Sequence, residues 1–383
     1  MSTNTVARAF EQDCFCVPEV SKGKAVYPSA ATQRVITAGT VDVNQQANFS
    51  DSEEIIKSLD LIERFQDQTG AGSWSVPMYL RPSGVAGTAP MGNVLIKSLM
   101  GDETVNSTTS VSYTQALTKP SFTLWVKKAH TVFFAAGCCA ESGKLNFTNK
   151  GGSHFDMSGG FMQMGWAGTD TLASAASTTA VTVTNAKLFT AGAYVSFGSG
   201  ASVDHNANAG YKIVSVDYDT NILTMAESIT QASGTSIQGF LPTYTAVGTV
   251  LENKNVAITF DGTPKKLKSL SVDINSPVAW QTEEITTSGF VSEYIEDRRS
   301  IKLSLDVLFR EQDLSYFYDA TQNTKVGVIA VNSGGAGNIC TINLPYCELE
   351  VPNVTTSAPT VSLSIAGTAL GSSGEDSCSI VFT

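Results

Sequence analysis

Residues 268–275 read Lys-Ser-Leu-Ser-Val-Asp-Ile-Asn. Leu270, Val272 and Ile274 alternate with Ser271, Asp273 and Asn275, the period of a strand with one buried face and one wet face. A polar loop carrying Glu283-Glu284-Ile285 follows. Then Ile301, Leu303, Leu305, Val307 and Phe309 alternate with Lys302, Ser304 and Asp306. The same order stands earlier in the chain. Val41-Asp42-Val43-Asn44 precedes a polar loop with Glu53-Glu54-Ile55, and Trp74, Val76, Met78 and Leu80 then alternate. The tetrapeptides are offset by 231 residues (272 against 41) and the glutamate pairs by 230 (283 against 53). A recurring strand, acidic loop, strand and short helix is what a part built to sit beside copies of itself displays.

Working outward from these two units divides the chain. Residues 1–30 are polar, hold Pro18 and Pro28, and read as an N-terminal arm. Residues 31–167 form the first β unit. Val35 to Val43 is expected as a strand, followed by a long loop from Asn44 to Gly72. Ser73 to Leu80 alternates strictly, but Pro77 has no N–H to give a ladder and places that strand at an edge or a bulge. Met91 to Met100 suits a short helix, and Phe122–Val126, Thr131–Ala136, Lys144–Thr148 and Gly160–Met164 suit strands. Residues 168–247 are rich in Ala, Ser, Thr and Gly. They read as a small all-β insert of short strands, expected to project outward and to be dispensable for the rest. Residues 248–383 form the second β unit, with a short helix at Leu314–Tyr318 and strands at Lys325–Val331, Cys340–Leu344, Thr360–Ala366 and Ser379–Thr383. The fold class is therefore mainly β: two barrel or sandwich units, each with a short helix, and the small inserted β domain.

Composition narrows the function. Of 383 residues, 42% are hydrophobic and only 15% charged, so a large core is expected beneath a Ser/Thr/Asn/Gly surface, as is common in all-β proteins and in subunits of large assemblies. Net charge is −11, and no dense Lys/Arg run supplies the clustered cations of a nucleic-acid groove. No apolar run approaches the roughly 18 residues of a membrane span, and the first residues lack the apolar core of a secretory leader. The seven cysteines have no zinc-ligand spacing and read as buried thiols of a reducing compartment.

Motifs for chemistry are missing. There is no phosphate loop, no Gly-x-Gly-x-x-Gly fingerprint, no His-Glu-x-x-His and no Gly-x-Ser-x-Gly elbow. His130, His154 and His205 have no partner that suggests a triad or metal cage. Asp217-Tyr218-Asp219-Thr220-Asn221 opens like a calcium loop. Ile222 stands where the loop needs Gly and Ser228 where it needs Glu, so a hairpin turn is expected. The paired glutamates lie next to each other rather than across a substrate, unlike glycosidase carboxylates. No enzyme activity, cofactor or metal is expected.

The order of elements resembles phage tail tube proteins, the subunits of the tube through which DNA leaves the capsid. The second unit carries the resemblance best. It has Lys268–Asn275, a long polar loop, Arg299–Leu308, the helix near Leu314, the strand from Lys325 and Ile342-Asn343-Leu344-Pro345 before the closing strand. The first unit follows the same order from Thr40 to Gly165, with an extra segment around Ser83–Tyr113. The resemblance implies that a hairpin of each unit lines the lumen, with Asp42, Asn44, Asp273 and Asn275 on the channel face. It implies that the long loops, with Glu53, Glu54, Glu283 and Glu284, meet the next ring. It implies a virion protein made in the host cytoplasm and assembled with itself, as a trimeric ring of pseudo-sixfold symmetry. The other expected partners are the tape measure, the tail terminator and the baseplate or tip, while DNA passes without specific binding. The alternatives are another virion surface β protein (a decoration, fibre or adhesin) and a carbohydrate-active enzyme.

Overall fold

The structure is a computed structural model and describes residues 10–54, 60, 62–198, 203–245, 248–282, 289–357 and 359–383. The first half runs β1 (Gln12–Pro18), β2 (Arg34–Val35), β3 (Asp42–Asn44), β4 (Phe49–Asp51), β5 (Arg64–Gln66), β6 (Gly72–Tyr79), α1 (Asn93–Met100), β7 (Gly101–Asn106), β8 (Ser110–Gln115), β9 (Phe122–Lys128), β10 (Thr131–Thr148), β11 (His154–Phe161) and β12 (Gln163–Ala167). The middle holds β13 (Thr169–Thr171), β14 (Ala180–Thr182), β15 (Tyr194–Phe197), β16 (Tyr211–Asp217), β17 (Ile222–Met225) and β18 (Ser236–Gly239). The second half runs β19 (Val256–Phe260), β20 (Thr263–Lys265), β21 (Ser269–Asn275), β22 (Val278–Trp280), β23 (Tyr294–Glu296), β24 (Ser300–Leu308), α2 (Ser315–Thr321), β25 (Lys325–Ser333), β26 (Ile339–Leu349), β27 (Asn353–Ser357), β28 (Thr360–Leu370) and β29 (Ser379–Phe382). The fold is mainly β with antiparallel sheets.

One order of pairings occurs in both halves. In the first, β1 pairs with β2 and β9, β9 with β10, and β10 with both β12 and β11. β11 then pairs with β6, and β6 with β3. In the second, β19 pairs with β20 and β25, β25 with β26, and β26 with both β29 and β28. β28 then pairs with β24, and β24 with β21. Each helix falls between the equivalent strands, α1 after β6 and α2 after β24. The β7·β8 hairpin belongs to the first half alone and reaches across to β29.

The long strand β10 explains how each half becomes a sandwich. Residues 131–138 pair with β9 and β12 in one layer, and residues 139–148 pair with β11 and β21 in the other. The register slips between Ala135 and Cys138 and again between Ala140 and Ser142, and such bulges bend a strand. The backbones crowd at the bend: a Cβ on Gly159 would sit 1.9 Å from the Cys139 carbonyl, so only glycine fits. Between the layers lies one core shared by both halves, including Val76, Leu99, Leu145, Phe155, Val272, Leu303, Ile342 and Ile365.

Several expectations need correction. The pairings branch but never return to their start, so the described residues form open sheets and not a closed barrel. Residues 12–18 are no arm. β1 is a full partner of β9, and Phe15 is fully buried. The strand expected over Val35–Val43 is broken: Arg34–Val35 and Asp42–Asn44 are strands, and between them Thr37 makes an isolated bridge to Met78. The break lies opposite Pro77, whose carbonyl still accepts from Ala38 N at 2.8 Å but which has no N–H to hold the next rung. The insert forms one six-stranded sheet. Its core is not its own: Val181, Phe189, Val195, Phe197 and Ile237 pack in one cluster with Phe15, Trp125, Val132 and Phe134 of the first half. Tyr27 seals this contact, stacking on Tyr194 at 3.7 Å and donating to the Phe240 carbonyl at 3.1 Å.

Candidate functional site: the polar face of the central sheet

The two inner layers join side by side. β3, β6, β11 and β10 are followed without a gap by β21, β24, β28 and then β26 with β27, because β10 pairs with β21 from Ser142↔Asn275 to Thr148↔Ser269. Alternation turns Leu145, Phe155, Val272 and Leu303 to the core and their neighbours outward. The outward neighbours are small and polar, among them Ser73, Ser142, Ser158, Ser271, Ser304, Ser364 and Thr368. Six carboxylates join them: Asp42, Asp156, Asp273, Asp306, Glu348 and Glu350. Three ammonium groups do: Lys144, Lys302 and Lys325, the last in register with Glu348.

All four residues expected to act together lie on this face. Asp42 and Asn44 are exposed on β3 and stand opposite Ser75 and Ser73. Asp273 and Asn275 lie mid-sheet. Lys144 Nζ is 3.5 Å from Asp273 Oδ1, and Lys302 stands in register on the other flank. Asn275 is paired with Ser142 and Ser300. The sequence reading missed Lys144, Asp156, Glu348 and Glu350. The alternation around Lys144 and Glu348 was visible, but the partner strands that bring these charges together were not.

The two long loops are arms. β4 pairs with β5 in the first and β22 with β23 in the second. They touch at their bases, where Thr69 N donates to Gly289 O at 2.9 Å and Gln68 Nε2 to Phe290 O at 3.0 Å. Glu53 and Glu54 are exposed beyond β4, while Glu283 and Glu284 lie outside the described residues. Phe49 and Phe65 are half exposed on opposite faces of the first arm, an apolar surface on both sides of a thin ribbon.

A buried lysine pins the junction of the halves. Lys119 is 3% exposed, and its Nζ donates to the carbonyls of Ala140 on β10 and Ser276 after β21. Burial pushes its pKa down, while the thiol of Cys139 and the carboxylates of Glu141 and Glu296 push it up. Tyr294 donates to the Lys119 carbonyl at 3.2 Å. This clamp ties β10 to the segment after β21.

His154, His205 and the Asp217–Asn221 stretch each make contacts within the chain. His154 packs on Tyr79 with ring centres 4.3 Å apart, and His205 stacks on Phe240 and accepts from Asn208 N at 2.9 Å. In the Asp217–Asn221 hairpin turn, Asp217 Oδ1 accepts from the Asp219 and Thr220 N–H groups, and the Thr220 hydroxyl, followed by these N–H groups, holds its carboxyl below the usual range. Among the described residues no cluster of His, Cys, Asp and Glu could hold a metal ion, and no helix is long and apolar enough to cross a membrane. A cleft of about 760 Å³ opens between the insert, the first half and the second arm, with Trp166, Tyr218, Lys24 and Lys212 on its walls. No family model matches the chain, and no curated protein matches its sequence.

Proposed function

We propose that the chain is the tube subunit of a long-tailed phage: two copies of one tail-tube unit in a single polypeptide, self-assembling into stacked rings that form the DNA channel. The observation that carries this reading is the paired four-strand layers joined at β10·β21. One chain contains the junction that a ring repeats around its circumference. The sheet ends in two edges, β3 with β6 as its one strand partner and β27 with β28 as its one, among the described residues. Exposed edges invite pairing, and closing them into a ring removes the hazard.

Three chains supply six units and about twenty-four inner strands, a trimeric ring of pseudo-sixfold symmetry. The polar face becomes the lumen, with Asp42, Asn44, Asp273 and Asn275 on it. Hydroxyls and a carboxylate excess give DNA no clustered cations through which to bind, so it passes without sticking. The arms, with Glu53, Glu54, Glu283 and Glu284, reach the next ring, and the apolar Phe49 and Phe65 give that contact an anchor. The subunit acts in the virion tail, made in the host cytoplasm, with the tape measure, terminator and baseplate or tip as further partners. It is a structural protein without catalytic or cofactor chemistry.

Electron microscopy of the purified protein tests this. Rings or tubes with a central hole and three chains per disc are expected. Six chains per disc would remove the trimer, and monomers at every concentration and salt would remove the tube. In the phage, Asp42→Lys with Asp273→Lys is expected to leave tubes intact and slow DNA ejection. Normal ejection from that variant would take both aspartates off the channel wall.

A further inference from the structure

The internal junction is a template for the joint between copies, because positions correspond across the two layers. Asp42 stands opposite Ser75 as Asp273 stands opposite Lys302, and Ser75 meets Ser158 as Lys302 meets Thr368. The equivalence of Ser158 and Thr368 then carries His154 to Ser364 and Asp156 to Ala366. Asn146 pairs with His154 and Asn353 with Ser364, so Asn353 holds the place of Asn146. Glu350, whose N–H donates to Ala366 O at 2.8 Å, holds the place of Lys144, which pairs with Asp156. Val354 follows as the counterpart of Phe147.

That counterpart shows a missing neighbour. Phe147 is 3% exposed and lies in register with Leu270 across the internal junction. Val354 pairs with buried Leu363 on one flank, yet it is 53% exposed. A core-facing side chain this open sits where a further strand belongs.

The charges of the two joints differ. Internally, Asp273 lies between Lys144 and Lys302. At the outer edges the same places hold Asp42, Glu350 and Ser75. Like charges facing each other across two strands destabilise the pairing.

Resting on the ring reading above, we propose that β27 of one copy adds antiparallel to residues 38–44 of a second copy, displacing the Gln12 side chain, whose amide holds the Gly39 carbonyl and the Val41 N–H within one chain. Thr355 faces Ala38 and Asn353 faces Thr40, in the register of the internal junction shifted by the 231-residue offset. We propose further that Glu350 against Asp42 makes this joint an electrostatic brake on assembly. The internal joint is bridged by lysines and forms with the fold. The outer joint is acidic and closes readily only where salt or a nucleating partner offsets the repulsion. Screening acts over about 30 Å at 0.01 M salt and about 3 Å at 1 M, so assembly of the full chain is expected to be slow at the first and fast at the second.

Light scattering and electron microscopy of the full chain at about 10 mM and about 1 M NaCl test the brake. Glu350→Lys restores the internal arrangement and is expected to speed assembly at low salt by about tenfold, the factor that about 1.4 kcal/mol per joint gives. Adding Asp42→Lys to Glu350→Lys is expected to slow it again. Asn353→Cys with Thr40→Cys is expected to give intermolecular disulfides in assembled material, and Asn353→Cys with Thr37→Cys far fewer. Wild-type assembly at equal rates in both salts, with Glu350→Lys unchanged, overturns the brake. Assembled rings without the Asn353–Thr40 cross-link overturn the register. Failure of every variant to assemble at any salt overturns the ring reading itself.

Discussion

The outer layers of the two halves use the same strands and opposite surfaces. In the first half, Phe15 and Val17 on β1, Trp125 on β9, and Val132, Phe134 and Ala136 on β10 point away from the shared core into the insert. In the second half, the outward positions hold Thr259 on β19, Ile329 on β25, and Thr341 and Asn343 on β26, all in register and none fully buried. One pairing order thus supports both a covered aromatic wall and a bare one. The backbone decides that a face exists; the side chains decide whether it needs a cover. The insert is therefore a second layer for the first half and not an appendage.

The sharpest way to break this comparison is to remove the cover. Joining Ala167 to Gly248 through a short Gly/Ser linker bares Phe15, Trp125, Val132 and Phe134, and the product is expected to aggregate. Soluble, monodisperse protein in size-exclusion chromatography would mean that the insert folds apart from the first half after all. Next in size is Trp125→Ala, which empties a fully buried site against Tyr27, Phe134 and Tyr194 and is expected to cost about 3–5 kcal/mol in urea unfolding. Ile329→Ala on the bare face is expected to cost under about 0.5 kcal/mol. Equal losses would erase the distinction between the faces.

Alkaline pH should affect both halves together. Burial raises the thiols of Cys16 and Cys138 well above their ordinary value in the first half, and pushes Cys340, Cys347 and Cys378 up to about 12 in the second. A raised folded pKa gives stability that is complete below the unfolded thiol pKa and is lost as pH rises through the folded one. The urea midpoint is therefore expected to hold between about pH 6 and 8 and to fall from about pH 8.5 upward. A flat profile to about pH 11 would contradict buried protonated thiols. A small effect is also expected for Lys144→Ala. Its pair with Asp273 is half exposed, and its loss is expected to cost under about 1 kcal/mol at low salt and less at high salt.

Alternation was enough to find strands such as β6, β21 and β24, because period two survives wherever one face is buried. Leu270–Asn275 lies where the pattern put it, and the strand expected over Ile301–Phe309 runs from Ser300 to Leu308. β1 was not legible: Cys14-Phe15-Cys16-Val17 is buried on both faces, and a run without alternation next to Pro18 resembles an arm. Nor was the joint core of the insert, since Phe15 and Phe197 are 182 positions apart and nothing local to either names the other. For the polar face, Asp42, Asn44, Asp273 and Asn275 were legible as the wet positions of two strands. Lys144 opposite Asp273 was not, because cross-strand register is a property of the sheet.

The 18-residue span of β10 has a mechanical consequence. The strand is a tie bar with one end in the outer layer and the other in the junction between halves. Tension along it loads the hydrogen bonds to β9, β12, β11 and β21 in shear, all at once, instead of peeling them one by one. Load along β10 therefore meets far more resistance than load that opens the sheet sideways, one rung at a time.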